Sequence, residues 1–229
     1  MAHRLLDGVE SPRFACETRG MAVHHPATIV PTKLQLLQAW VPHQPWLAGA
    51  DACTLTQLGS YRFDDPDGEV GIETHLLGTV DGQILQVPLT YRGAPRACAE
   101  QSLITTMTHT TLGDRWIYDA CHDPVYRTAL ARAIMTGGRQ ADLFTATDNG
   151  LVKQTATTKV RGSGSLPVAQ IPDWRTAVVT NDGTTTQMRA STMLTLFRIP
   201  TAVAAGQTLI GTWPGQETPL LLATIDELL

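Results

Sequence analysis

The stretch Tyr61–Pro95, YRFDDPDGEVGIETHLLGTVDGQILQVPLTYRGAP, restricts the possible folds more than any other part of the chain. Val70, Ile72, Thr74 and Leu76, then Ile84, Val87, Leu89 and Tyr91, put apolar or β-branched residues at about every second position. That is the period of a strand with one buried face. Between the two runs stands Asp81-Gly82, a pair that supplies the positive backbone angles of a tight hairpin turn. An earlier turn, Asp64-Asp65-Pro66-Asp67-Gly68, feeds the first run. The pattern predicts a curved antiparallel sheet on which the rest of the chain packs.

Before this stretch, residues 22–31 suggest a short edge strand bounded by prolines. Thr32, followed three residues later by Gln35, predicts a helix opened by a capping box. Leu34, Leu37 and Val41, with Leu36 and Trp40, supply its apolar stripe, and Pro42 ends it. After the hairpin, the threonine-rich run 101–111 predicts a strand. Leu112-Gly113-Asp114 turns it into a partner at 115–119. Asp123-Pro124 then predicts the start of a second helix that stops at Gly137-Gly138.

Strand-like segments follow at 143–147, 151–160, 177–180, 185–198 and 220–225. The turns between them include Asp148-Asn149-Gly150, Asn181-Asp182-Gly183 and Trp213-Pro214-Gly215. The fold class expected is α+β: a curved antiparallel β-sheet with two principal helices, followed by a second β-rich half. The expected division is a flexible tail over 1–20, a first domain over 21–139 and a β-rich subdomain over 140–229.

The chain has 229 residues, a net charge of −4 and only three lysines, Lys33, Lys153 and Lys159. No basic stripe interleaved with aromatics is present, so a nucleic-acid partner lacks electrostatic support. No apolar run reaches the ~18 residues needed to span a bilayer. The first twenty residues lack the apolar stretch of a signal peptide. Cys16, Cys53, Cys98 and Cys121 are widely spaced and form no CxxC pair, which points to reduced thiols and a cytoplasmic protein.

Several motifs in order resemble a known family: Pro31-Thr32-Lys33-Leu34, Gln44-Pro45-Trp46, Tyr61–Pro66, Gly68–Glu73, Val87–Arg92 and Tyr118–Tyr126. Over residues 22–138 they are similar to the N-terminal cap of actinobacterial maltokinases and related glucosamine kinases, including stand-alone cap-like proteins. The resemblance implies a curved antiparallel sheet with helices that carries no catalytic residue. In those kinases such a cap is set ahead of an aminoglycoside-phosphotransferase-like catalytic core, which should supply a nucleotide-binding lysine, an HGD-type catalytic loop and a metal-binding aspartate. This sequence contains no His-Gly-Asp. Leu194–Arg198, LTLFR, is similar to the family's Leu-Lys-Leu-Phe-Arg strand and puts Thr195 where the lysine belongs.

Other constellations have simpler structural readings. Cys121-His122-Asp123 resembles a Cys–His pair, yet Asp123 is already explained as a helix cap. His24-His25 lacks a third ligand at a characteristic spacing and is read as an exposed pair. The acidic turn Asp64, Asp65, Asp67 and Glu69 lacks a calcium-loop pattern and is read as turn formation. Arg161-Gly162-Ser163-Gly164-Ser165 precedes no helix, so it is read as a flexible hairpin loop rather than a phosphate cradle. The five tryptophans are read as core residues rather than sugar platforms. Glu73 stands out because a strand holds it rigidly; a salt bridge with Arg62 or Arg92 is its expected role.

No catalytic, cofactor-binding or metal-binding residue is assigned, and no cofactor is expected. The favoured reading is a non-catalytic cap-like protein that binds or regulates a sugar kinase or another enzyme of glycogen, maltose or trehalose metabolism. Arg62, Phe63, Glu73, Tyr91 and Arg92 form its candidate surface. The alternatives are a small-carbohydrate binder using the concave face of the sheet and a residual sugar kinase or hydrolase.

Overall fold

The computed structural model describes residues 21–24, 28–47, 49–147 and 150–227. The expected tail over 1–20, His25 of the histidine pair and Asp148-Asn149 lie outside them, and His24 is described by its backbone alone.

The hairpin forms as the alternation predicts. β4 (Val70–Gly78) and β5 (Ile84–Arg92) pair antiparallel from Val70↔Arg92 to Gly78↔Ile84. Gly82 takes the positive φ of the turn, 82°. In the preceding turn the Asp65 carboxylate accepts hydrogen bonds from the backbone amides of Asp67, Glu69 and Val70. Asp65 thus shapes the turn with its own carboxylate. Around the hairpin stand β2 (Ile29–Val30), β3 (Thr56–Phe63), β6 (Leu103–His109) and β7 (Gly113–Asp119), in the sheet order β2-β6-β7-β5-β4-β3.

α1 (Lys33–Trp40) opens with the expected capping box: Gln35 N donates to Thr32 Oγ1 (3.3 Å) and Thr32 N to Gln35 Oε1 (2.9 Å). Two short 3-10 turns, Val41–His43 and Pro45–Leu47, follow it. Leu36, Leu37, Val41 and Trp46 from this segment bury against Leu77, Leu85, Val87 and Leu89 of the sheet.

α2 (Pro124–Met135) begins at Asp123, whose Oδ1 accepts from Val125 N at 3.0 Å. It lies over the opposite face of the sheet, where Tyr61, Phe63, Ile72 and Leu76 share one core with Tyr126, Leu130 and Ile134. A second sheet closes the same core. Its strands are β10 (Lys159–Gly162), β11 (Val178–Asp182), β12 (Thr185–Arg189), β13 (Thr192–Thr201), β14 (Gln207–Trp213) and β15 (Gln216–Glu227), in the order β10-β14-β15-β13-β12-β11. A third sheet joins β1 (Met21–His24), β8 (Asp142–Thr147) and β9 (Gly150–Lys153).

The described residues are therefore mostly β with two α-helices. The layers run from α1, through the first sheet, to α2 and the second sheet. Among the described residues no helix is long and apolar enough to cross a membrane.

Four expectations need correction. The central hairpin is buried on both faces, from Ile72 to Leu77 and from Leu85 to Thr90, because the second half of the chain covers the face left open by the first. Fully buried Gln86 fastens that contact. Its Nε2 donates to the carbonyls of Phe197 and Leu222, both at 2.9 Å, and its Oε1 accepts from the Tyr61 hydroxyl at 2.8 Å.

The segment 22–31 divides between two sheets, β1 pairing parallel with β8 and β2 antiparallel with β6. The runs 151–160 and 185–198 are each two strands, and β14 occupies a stretch for which the sequence pattern predicts none. Finally, the Gly-Ser-Gly loop is a fixed packing element. Gly164 N and Leu166 N donate to the carbonyls of Ile134 and Met135 at the end of α2, each at 2.8 Å.

Candidate functional site

The β4–β5 register puts Gly71, Glu73 and His75 on the same face as Tyr91 and Leu89, toward α1. Arg62 faces Glu73 across β3 and β4. A cleft of about 340 Å³ opens at this end of the hairpin, lined among others by Lys33, Arg62, Asp65, Glu73, Tyr91 and Leu112.

Glu73 is the centre of the arrangement. Its Oε2 accepts from Arg62 Nη2 at 2.9 Å and from Lys33 Nζ, the first residue of α1. The Lys33 ammonium also stands 5.4 Å from the centroid of the Tyr91 ring. Beneath them His75 Nε2 meets the Tyr91 hydroxyl at 3.1 Å and Nδ1 meets Gln57 Oε1 at 3.3 Å. The capping box that starts α1 thus also delivers the ammonium that neutralises Glu73.

Burial alone would raise the Glu73 pKa, but His75, Arg62 and Lys33 outweigh it and hold the carboxyl well below its usual range. Burial lowers the His75 pKa to about 4, against the opposing pull of Glu73. Since His75 is then neutral at pH 7, the two cations maintain the Glu73 charge there. Burial, and next the Glu73 charge, push the Tyr91 phenol well above its ordinary value. At neutral pH the cluster holds an ionised acid, a neutral imidazole and a neutral phenol. None of the three is poised to exchange a proton near pH 7.

Of the five residues read as a surface, Arg62, Glu73 and Tyr91 meet in this cleft. Phe63 borders it, but its ring packs edge-to-face on Tyr61, 5.4 Å between centroids, in the core on the opposite face. Arg92 stands apart. Its Nε and Nη2 donate to Asp123 at 2.7 and 2.8 Å, and Thr90 Oγ1 donates to the same carboxylate at 3.0 Å. Glu73 therefore pairs with Arg62 and not with Arg92.

Lys33, His75 and Gln57 are the members that sequence reasoning passed over. His75 was within reach of it, since it shares a strand face with Glu73 at a spacing of two. Lys33 arrives only through the docking of α1.

Cys121 is fully buried, and burial pushes its thiol far above the ordinary range, so it offers no nucleophile beside His122. Among the described cysteines, Cys53, Cys98 and Cys121 are free. Thr195, at the position of the resembled lysine, lies half-buried on β13 between its cross-strand neighbours Gln187 and Thr224.

Residues 40–123 match the family model of the maltokinase N-terminal cap domain. The cap segment runs from the last residue of α1 to the residue that caps α2, and takes in β3 to β7. It contains all five residues read as a surface, while Lys33 and the whole second sheet lie outside it. No curated protein matches the chain.

Proposed function

We propose that this chain works by binding: a cap-type module, without chemistry of its own, that docks on or regulates a sugar kinase or another enzyme of glycogen, maltose or trehalose metabolism in the cytoplasm. The observation that carries the reading is the closure of Glu73. The acid best placed for catalysis is held ionised between Lys33 and Arg62, and the histidine beneath it is neutral. The match of residues 40–123 to a kinase cap supplies the class of partner; that step is an analogy of family, not of site.

The mouth of the cleft supplies a docking surface. Leu112 is exposed there, and exposed Val30 adjoins the lining residue Ile29. Asp65, Glu69 and Arg115 ring them with charge. An apolar centre within a polar rim suits a non-obligate interface. The test is isothermal titration of this chain into a purified maltokinase-type sugar kinase. A one-to-one complex of about micromolar Kd is expected, weakened roughly tenfold or more by Leu112→Asp. Heat indistinguishable from dilution at ~100 μM of each protein would overturn the proposal.

The carbohydrate reading loses the concave face it required, because β4 and β5 are covered on both sides. The cleft itself, at the small end of ligand-pocket volumes, is where it survives. A thermal shift with maltose, trehalose or glucosamine that is lost in Arg62→Ala would favour it over docking.

A further inference from the structure

Beyond the matched segment in sequence, a larger cavity of about 700 Å³ lies between the β8–β9 hairpin and the outer face of β10 and β14. Leu143 and Ile210 give it apolar side chains; Val160 borders it but turns into the core. Its charged residues are Arg139, Lys153, Lys159, Arg161 and a single acid, Asp142. Four positive charges against one negative leave a net +3 here, in a chain whose total is −4. Two of the three lysines in the sequence, Lys153 and Lys159, are in this cavity.

The internal pairing leaves cations over. Asp142 accepts from Arg139 Nη1 at 3.0 Å and from Lys153 Nζ at 2.7 Å, and so is fully engaged. Lys159 and Arg161, exposed on alternate positions of β10, make no ion pair among the described residues. Moreover, Arg139 and Arg161 stand opposite each other in an antiparallel bridge. Like charges in directly opposed positions destabilise a sheet pair. Nothing in the fold requires that cost, since any residue able to adopt extended backbone would complete the bridge.

We infer that this cavity binds a multiply charged phosphorylated small molecule, its phosphates held by Lys159, Arg161 and Arg139 and its less polar body laid on Leu143 and Ile210. Two guanidinium groups offer forked donors that match phosphate oxygens, and the ammonium groups add point charge. The volume falls in the usual range for small-molecule sites, and the concave shape favours a compact ligand over a polymer.

The experiment is calorimetric titration of the intact chain with inorganic diphosphate, orthophosphate and citrate, in low salt and then in ~0.5 M salt, where screening is strong. Saturable one-to-one binding of diphosphate is expected, at least tenfold tighter than orthophosphate or citrate. It should weaken at least tenfold in the double variant Lys159→Ala/Arg161→Ala and remain unchanged in Arg189→Ala, an exposed arginine on β12. Both alanine positions are exposed, so folding is checked by a melting temperature no lower than that of the parent chain. A second readout comes from the free protein: Arg161→Gln should raise its melting temperature in low salt by removing the repulsion with Arg139. Citrate binding as tight as diphosphate would overturn the phosphate assignment. Absence of saturable binding, or binding unaltered in the double variant, would overturn the site.

Discussion

At the scale of single residues, the buried carboxylates Glu73, Asp119 and Asp123 are each paired with a cation. Arg198 is completely buried on β13 and reaches across to Asp119 at the end of β7, its Nη2 donating to both carboxylate oxygens at 3.0 and 2.7 Å. Its Nε donates to Thr186 at 2.8 Å, and its guanidinium lies 4.7 Å from the Trp46 ring. Removing one member of such a pair strands the other without water. Arg198→Ala should therefore lower unfolding free energy by about 3–5 kcal/mol, read by urea denaturation. The double variant Arg198→Met/Asp119→Leu should recover most of that loss, because no orphan charge remains.

The Glu73 cluster makes a second prediction at this scale, in pH. The His75 pKa falls on folding from 6.5 to about 4, so between those values the unfolded chain binds the proton that the folded one refuses. Stability is therefore lost as pH falls through that window, by roughly 3 kcal/mol at ~1.4 kcal/mol per pH unit. Glu73, whose folded pKa lies below its ordinary 4.5, continues the loss at lower pH. Denaturation curves from pH 7 to pH 4 should show the decline, and His75→Gln should flatten its upper part.

At the scale of elements, the second helix is closed by the glycines of a loop distant in sequence. A Cβ added at Gly162 would come within 1.9 Å of the Ala133 carbonyl oxygen, and one at Gly164 within 2.2 Å of that of Met135. The close approach lets backbone amides satisfy carbonyls at the end of α2, which the helix itself leaves without partners. Gly162→Ala should cost about 2–3 kcal/mol, seen as a fall in Tm of roughly 5–10 °C.

This element also shows where the sequence stops being legible. Both helices and their caps could be read directly, because Thr32 with Gln35, and Asp123 with Pro124, act within four residues. The Asp81-Gly82 hairpin was equally local. The same composition, Gly-Ser-Gly, serves a free loop or a backbone contact, and only its neighbour 30 residues earlier decides which. The Arg198–Asp119 pair, 79 residues apart, carries no local trace either. Of the candidate site, Arg62, Glu73 and Tyr91 were readable from strand register, whereas Lys33 needed the placement of α1.

At the scale of the whole molecule, the first sheet has no face to spare along its central strands. α1 covers one side, and α2 with the second sheet covers the other. The two concavities accordingly lie at the margins: the cleft at the Glu73 end and the cationic cavity beside β10. The cavity is lined by residues beyond the matched segment, whereas the cleft takes most of its lining from that segment, with Ile29 and Lys33 from outside it. A docking module with a separate anion site is the simplest arrangement consistent with both. Loss of diphosphate binding in Lys159→Ala/Arg161→Ala should then leave the affinity for a kinase unaltered.

The most direct trial of the account follows phosphoryl transfer from ATP to maltose, trehalose and glucosamine, with this chain alone and with the chain titrated into a purified maltokinase-type kinase. The account predicts no turnover above the buffer rate for the chain alone, and a saturable complex with the kinase that Leu112→Asp weakens. Sustained sugar phosphorylation by the isolated chain, abolished by a substitution within it, would contradict the account outright.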